Sequence, residues 1–151
     1  MAEEWAITDT LGYLLIKVSK AHNNRARELL NPLGLYNGQE IILLLLQQED
    51  GQSQTALAEK LYIQPATLTK SLDRMERSGL SQRRPHPDDR RITQVHITER
   101  GQELCSSINE VWQNLNMETF GVLTSEEQDN LRLLLEKVRT NLLDSKFERN
   151  S

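Results

Sequence analysis

The chain has a single cysteine, Cys105, so no disulfide can close within it, and nothing in its cysteine usage points to an exported, oxidised protein. It has no long apolar run either. The longest, Ile41 to Leu46, is far too short to span a bilayer. The opening MAEEWAITDT puts acidic residues where a secretory signal needs basic ones, and no apolar stretch follows. These absences lead to the expectation of a cytoplasmic protein with no membrane partner. Serine–histidine–aspartate sets, paired carboxylates and glycine-rich phosphate loops are also missing, so no enzyme and no cofactor are expected. His86, Asp88, Asp89 and His96 match no ligand spacing, and residues of opposite parity on a hairpin point to opposite faces, so no metal site is expected.

Aromatic residues make up only 5% and hydrophobic residues 37% of the 151 positions, while charge at 26% is ordinary for a folded chain. A modest apolar fraction spread along long helices fits a protomer that completes its core with a partner. The net charge is −4, yet it is unevenly placed. Residues 53–100 hold 9 Lys and Arg against 6 Asp and Glu, whereas the flanks hold 4 against 7 and 5 against 9. One basic segment in an acidic protein is the footprint of a local polyanion contact rather than of general stickiness.

That basic segment has a definite pattern. Helical spacing of apolar residues runs from about Thr8 to Leu30 and ends at Pro32 and Gly34. A second helix, about Asn37 to Glu49, carries the Ile-Ile-Leu-Leu-Leu-Leu run, is apolar all round, and should lie mid-protomer. Ser53 can cap a short third helix with Ala56, Leu57 and Leu61 inward. Pro65 opens a fourth helix, with Leu68, Leu72 and Met75 buried and Gly79 past its end. Leu80–Pro85 and Ile92–Ile97 read as two strands around the charged tip His-Pro-Asp-Asp-Arg-Arg. Thr98 caps a fifth helix with the stripe Leu104, Ile108, Val111, Trp112, Leu115, and Phe120 at its far end. Thr124 to Glu127 is a capping box for a last helix bearing Leu131, Leu134, Leu135, Val138 and Leu142. The tail from Lys146 is expected to fray.

The expected fold is therefore mainly α with a small β-hairpin wing: a winged helix-turn-helix, residues 37–98. Residues 1–36 and 99–146 supply N- and C-terminal helices that interlock in a homodimer. Long amphipathic helices at both ends cannot all bury their stripes on so small a central unit, but a second copy can cover them. Two such units set one DNA turn apart, about 34 Å, demand double-stranded DNA with an inverted-repeat site.

The residues that make this unit also resemble the MarR family of winged-helix regulators. The family pattern stands here as Ala56-Leu-Ala58, Pro65-Ala-Thr67-Leu-Thr69, Asp73-Arg-Met75-Glu-Arg-Ser-Gly79-Leu80 and Arg83-Arg84. It closes with Asp89-Arg90-Arg91 and Val95-His-Ile97-Thr98-Glu-Arg-Gly101. The match is dense over residues 53–101 and architectural elsewhere. It implies a dimeric DNA-binding transcriptional regulator, usually a repressor released by a small molecule or an oxidant. Two departures stand out. Gln64 takes the recognition-helix cap where relatives often have serine, and the first helix lacks the cysteine of peroxide-sensing relatives.

On the fourth helix Gln64, Thr67, Thr69, Lys70 and Arg74 offer base- and phosphate-bonding groups, and Ala66 is small enough for close approach. Ser53, Gln54 and Pro65 are assigned to the same interface. Asp73 is expected to orient a neighbouring arginine. In the wing, Arg84, Arg90 and Arg91 are the cations; Arg90 or Arg91 at the tip can enter a narrow minor groove. The resemblance favours Arg91 for that role, with Asp89 holding its guanidinium. Cys105, beside the buried stripe, reads as a small hydrophobe rather than a sensor.

For an effector, the resemblance implies a pocket between the dimerisation helices and the DNA-binding lobe. Tyr13, Lys17, His22 and Tyr36 are the candidate polar groups there, with Lys17 available to a carboxylate and a tyrosine to an aromatic or lipophilic ring. The same four also fit plain surface and core-edge positions. The competing reading of the whole chain is a winged-helix protein–protein interaction module without sequence-specific DNA binding. An interaction wing tends toward apolar patches, whereas this one carries Arg83, Arg84, Arg90 and Arg91.

Overall fold

A computed structural model describes the backbone of residues 5–149 and the side chains of residues 5–144. Among these, α1 spans Leu11–Leu30, α2 Gln39–Gln48, α3 Gln54–Leu61, α4 Pro65–Arg77, α5 Glu99–Phe120 and α6 Ser125–Arg149. The strands are β1 Gln52–Ser53, β2 Ser81–Pro85 and β3 Thr93–Ile97. The described residues fall into two compact units, and the division between Gln113 and Asn114 lies inside α5.

In the first unit each helix starts where a side chain or a special backbone angle allows it. The Thr10 hydroxyl accepts the Tyr13 N–H at 3.1 Å and donates to the Ile7 carbonyl, so α1 begins at Leu11 rather than at Thr8. Gly38, at φ 95, delays α2 to Gln39. Ser53 accepts the Ala56 N–H at 3.0 Å and caps α3 as expected. At the end of α4, the Leu80 N–H reaches the Met75 carbonyl and the Gly79 N–H that of Glu76, with Gly79 at φ 72. That is a Schellman stop, which favours glycine because a side chain would strain the left-handed backbone.

The sheet has three antiparallel strands in the order β1-β3-β2. Ser81 faces Ile97 and Pro85 faces Thr93 across the wing, each strand one residue shorter than its sequence pattern. Gln52 and Ser53 pair with Val95 and Gln94, an edge that two residues are too few to announce by alternation.

The core of this unit gathers Leu30, Leu43, Leu46, Leu57, Leu72 and Val95 with the inner side of α5. Leu68, Leu72 and Met75 are all fully buried. The helix expected to be apolar all round buries Ile42, Leu43 and Leu46 but leaves Ile41 at the surface of this chain. Leu11, Leu14, Leu15 and Val18 of α1 are likewise exposed, Leu11 at 85%. Thr98 joins wing to helix: its hydroxyl donates to the Gly79 carbonyl and accepts the Gly101 N–H at 3.1 Å.

In the second unit, the Thr124 N–H donates to the Glu127 carboxylate at 2.8 Å and the Glu127 N–H to the Thr124 hydroxyl. This reciprocal box opens α6. Leu134, Leu135, Val138 and Leu142 are exposed along it. The tail expected to fray from Lys146 is helical to Arg149, and Asn150 and Ser151 lie outside the described residues. No helix among the described residues is long and apolar enough to cross a membrane.

Candidate nucleic-acid interface

Once Leu68, Leu72 and Met75 face the core, the period of α4 turns Ala66, Lys70 and Arg77 fully outward. Gln64, Pro65, Ala66, Thr67, Lys70 and Arg74 are all exposed. Gln64 occupies the cap position without a capping side-chain bond. Its amide group therefore stands at the start of α4 uncommitted to the helix backbone.

Thr69 is half-buried and already engaged. It accepts from the Gln54 amide at 2.8 Å and donates to the Pro65 carbonyl, so it locks α3 to α4. Arg74 stacks its guanidinium 5.5 Å from the centre of the Tyr36 ring. Thr67 lies on the opposite side of α4 from Thr69, against a cavity described below.

The wing is fixed to α4 by Arg83. Its backbone N–H and Nε donate to Glu76 Oε1 at 2.7 and 3.2 Å, and Nη2 bonds Glu76 Oε2 at 2.8 Å and Asp73 Oδ1. The arginine holds the Glu76 carboxyl below the usual carboxylate range. Asp73 thus orients an arginine, though not its sequence neighbour Arg74. Arg83 comes from β2, seven to ten positions away from its partners.

At the wing tip Asp89 grips Arg91 through Nε and Nη2, both at 2.9 Å, and accepts the Arg91 N–H at 3.1 Å. The pairing lowers the Asp89 carboxyl and raises the Arg91 guanidinium. Arg91 still offers 90% of its side chain to solvent. Arg84 is exposed with Nη2 on the Gln82 side-chain oxygen at 2.8 Å, and Arg90 is exposed. Gln64, Lys70, Arg74, Arg84, Arg90 and Arg91 therefore lie on the exposed surface of one sheet-braced unit. The arrangement can present a helix and a cationic hairpin to a polyanion.

Of the four effector candidates, Lys17 Nζ lies 5.9 Å over the Tyr13 ring, Tyr36 supports Arg74, and His22 borders a cavity. That cavity, about 370 Å³, lies within the first unit and is bounded by α1, α2, α4 and α5 and by Leu61 at the end of α3. Glu40 lines it, 3% exposed, and accepts the Gly38 N–H at 2.7 Å. Burial pushes its carboxyl up. In sequence Glu40 is an acid in a first helical turn, which looks like a dipole partner. In sequence Arg83 is one of four similar wing arginines, and only strand alternation with buried Ser81 marks it as inward.

Cys105 is fully buried with its thiol directed to the Gly101 carbonyl at 3.5 Å, and burial pushes it up, away from a reactive thiolate. His96 faces Asp50 at 3.5 Å, and no three metal-binding side chains converge among the described residues.

Residues 35–93 match the MarR family. The chain is 29% identical over 141 residues to the HTH-type transcriptional repressor IacR of Pseudomonas putida, covering 93% of this chain and 84% of that protein. Wild-type MarR from E. coli in its apo form is 30% identical, with a TM-score of 0.70 over 85% of this chain and 96% of that one. A mutant of the same E. coli protein, solved in complex with operator DNA, is 28% identical, with a TM-score of 0.82 over 89% and 99%.

Proposed function

Because the chain belongs to the MarR family of transcriptional regulators, we propose that it is a homodimeric, sequence-specific DNA-binding repressor of the cytoplasm that a small aromatic or lipophilic molecule releases. The observation that carries this reading is the pairing of an exposed α4 surface with an arginine wing braced to it through Arg83. In this reading Gln64, Thr67, Lys70 and Arg74 read the major groove, with Ala66 permitting close approach. Ser53, Gln54, Pro65 and Thr69 set the depth of α4. Arg84 and Arg90 meet phosphates, and Arg91, aimed by Asp89, enters the minor groove.

The exposed leucines of α1 and α6 are the natural dimer surface, since apolar stripes of that length are costly in water. Residues 1–36 and 99–146 would then space two lobes, 37–98, on an inverted repeat. Release follows from differential affinity: a ligand that prefers a spacing unable to bind DNA lowers the DNA-competent population. IacR, whose name marks it as a repressor, supports the sign of regulation.

Selection of bound DNA from random sequence at physiological salt tests this. The expected product is a palindrome with half-sites about one turn, ~34 Å, apart. Recovery of only salt-labile, sequence-blind binding would overturn it and favour a protein-interaction wing.

A further inference from the structure

The cavity of the first unit has one ionisable acid on its wall and no lysine or arginine among its described lining residues. The acid is Glu40, nearly closed off from solvent, with one carboxylate oxygen on the Gly38 N–H. Opposite in character is an aromatic corner, where the rings of His22 and Trp112 meet at 6.1 Å with a 50° tilt. Thr67 and Ser71 of α4 contribute hydroxyls. At about 370 Å³ the space suits a small ring compound. Lys17, the group that sequence alone offers to an anionic ligand, is instead held over Tyr13 and is not on this wall.

An anion entering here would lose water, meet no lysine or arginine and confront a carboxylate. A cation would gain a charge-assisted hydrogen bond and an aromatic face. We propose that this cavity binds a planar organic cation of the aromatic amine or amidine kind, its N–H groups on Glu40 and its ring against Trp112 and His22. This deepens, and rests on, the effector reading above by naming the chemical class. The upward pull of burial on the Glu40 carboxyl is what a bound cation would relieve. Since Thr67 and Ser71 belong to α4, occupancy reaches the helix assigned to the major groove.

Benzamidine, benzamide and benzoate are suitable probes because they share a ring and differ in charge. The full chain carrying Trp5→Phe leaves Trp112 as the sole indole reporter. Benzamidine should quench it saturably and bind about tenfold more tightly than benzoate, the scale of one charge-assisted bond, with benzamide between. Glu40→Gln should bring the three within about twofold, the residual spread left by neutral hydrogen bonds. As a second variant, His22→Lys adds a wall cation at a half-exposed helix position and should shift preference toward benzoate, read by ligand-observed NMR. Benzoate binding as tightly as benzamidine, no saturable benzamidine quench, or a preference untouched by Glu40→Gln would each overturn the proposal. These readings need no DNA. A failure to recover an operator would defeat the DNA-binding reading while leaving the ligand ranking to decide the cavity.

Discussion

The Arg74 guanidinium rests 5.5 Å from the centre of the Tyr36 ring, so a residue of the loop before α2 holds a cation of α4. Tyr36 is itself 64% exposed, and a stacked pair at such a surface is worth only about 0.5–1 kcal/mol. Its importance is therefore positional. Tyr36→Ala should leave thermal stability nearly unchanged while operator affinity falls by about twofold to fivefold, the same energy expressed in binding. Tyr36→Phe keeps the ring face and should bind as wild type in a fluorescence anisotropy titration. Equal affinity of the alanine variant would remove Tyr36 from any role in placing Arg74.

At the wing tip two variants separate charge from aim. Arg91→Ala removes a cation, so the slope of log affinity against log salt should shrink by about one. Asp89→Ala keeps that cation but frees its 2.9 Å grip, so the slope should hold while affinity drops. An unchanged slope for Arg91→Ala would count against a phosphate or groove contact by Arg91.

Glu76 and Glu40 titrate in opposite senses and give a paired test. Arg83 depresses Glu76, so its contribution is complete above the ordinary glutamate value of about 4.3 and fades as pH falls through the lower folded value. Glu76→Gln should therefore lower Tm at pH 7 and cost progressively less below pH ~4. Burial raises Glu40, so its folded form favours the proton. That contribution is complete below about 4.3 and is lost as pH rises through the folded value. Glu40→Gln should raise Tm at pH 7 and lose that advantage in acid. Parallel Tm–pH curves for the two variants would contradict the assigned environments.

Much of this layout was legible because local chemistry and tertiary structure agree. Thr98, Ser53 and the Thr124–Glu127 box cap the helices that their side chains announce. Leu68, Leu72 and Met75 show their burial through spacing alone. The tie between Asp89 and Arg91 lies two residues apart and follows from turn chemistry plus the family resemblance. What stayed hidden is non-local. Arg83 reaches Asp73 and Glu76 only after the wing folds back on α4, and Gln54 reaches Thr69 across fifteen positions. Lys17 and Glu40 show the same limit for the cavity, because neither helix spacing nor charge tells which polar group faces inward.

Gly101 marks a close approach that no side chain could share. A Cβ there would sit 2.4 Å from the Leu80 carbonyl oxygen and 3.1 Å from a Leu43 methyl. The first contact is with backbone at the junction of α4, β2 and α5, so relief would need the wing to move. Gly101→Ala should cost about 1–3 kcal/mol or more in chemical denaturation, an overpacking penalty. Gly12→Ala, whose added methyl meets nothing closer than the Thr10 hydroxyl at 4.0 Å, should be neutral or slightly stabilising. Equal stability of the two variants would mean that the wing joint yields freely.

The exposed stripe of α1 carries the last prediction. Leu14 and Leu15 show about half of their surface, and Leu11 shows 85%, in a helix whose buried residues are Ala26 and Leu30 near its far end. Burying one such leucine is worth about 1.5–3 kcal/mol, so two charges placed there oppose several kilocalories of association. Leu14→Glu with Leu15→Glu should lower the dimer fraction in sedimentation at micromolar concentration and abolish binding to a two-half-site operator. A single half-site, bound weakly by each lobe, should be affected far less. A double variant that remains dimeric would place the two-fold interface on other residues.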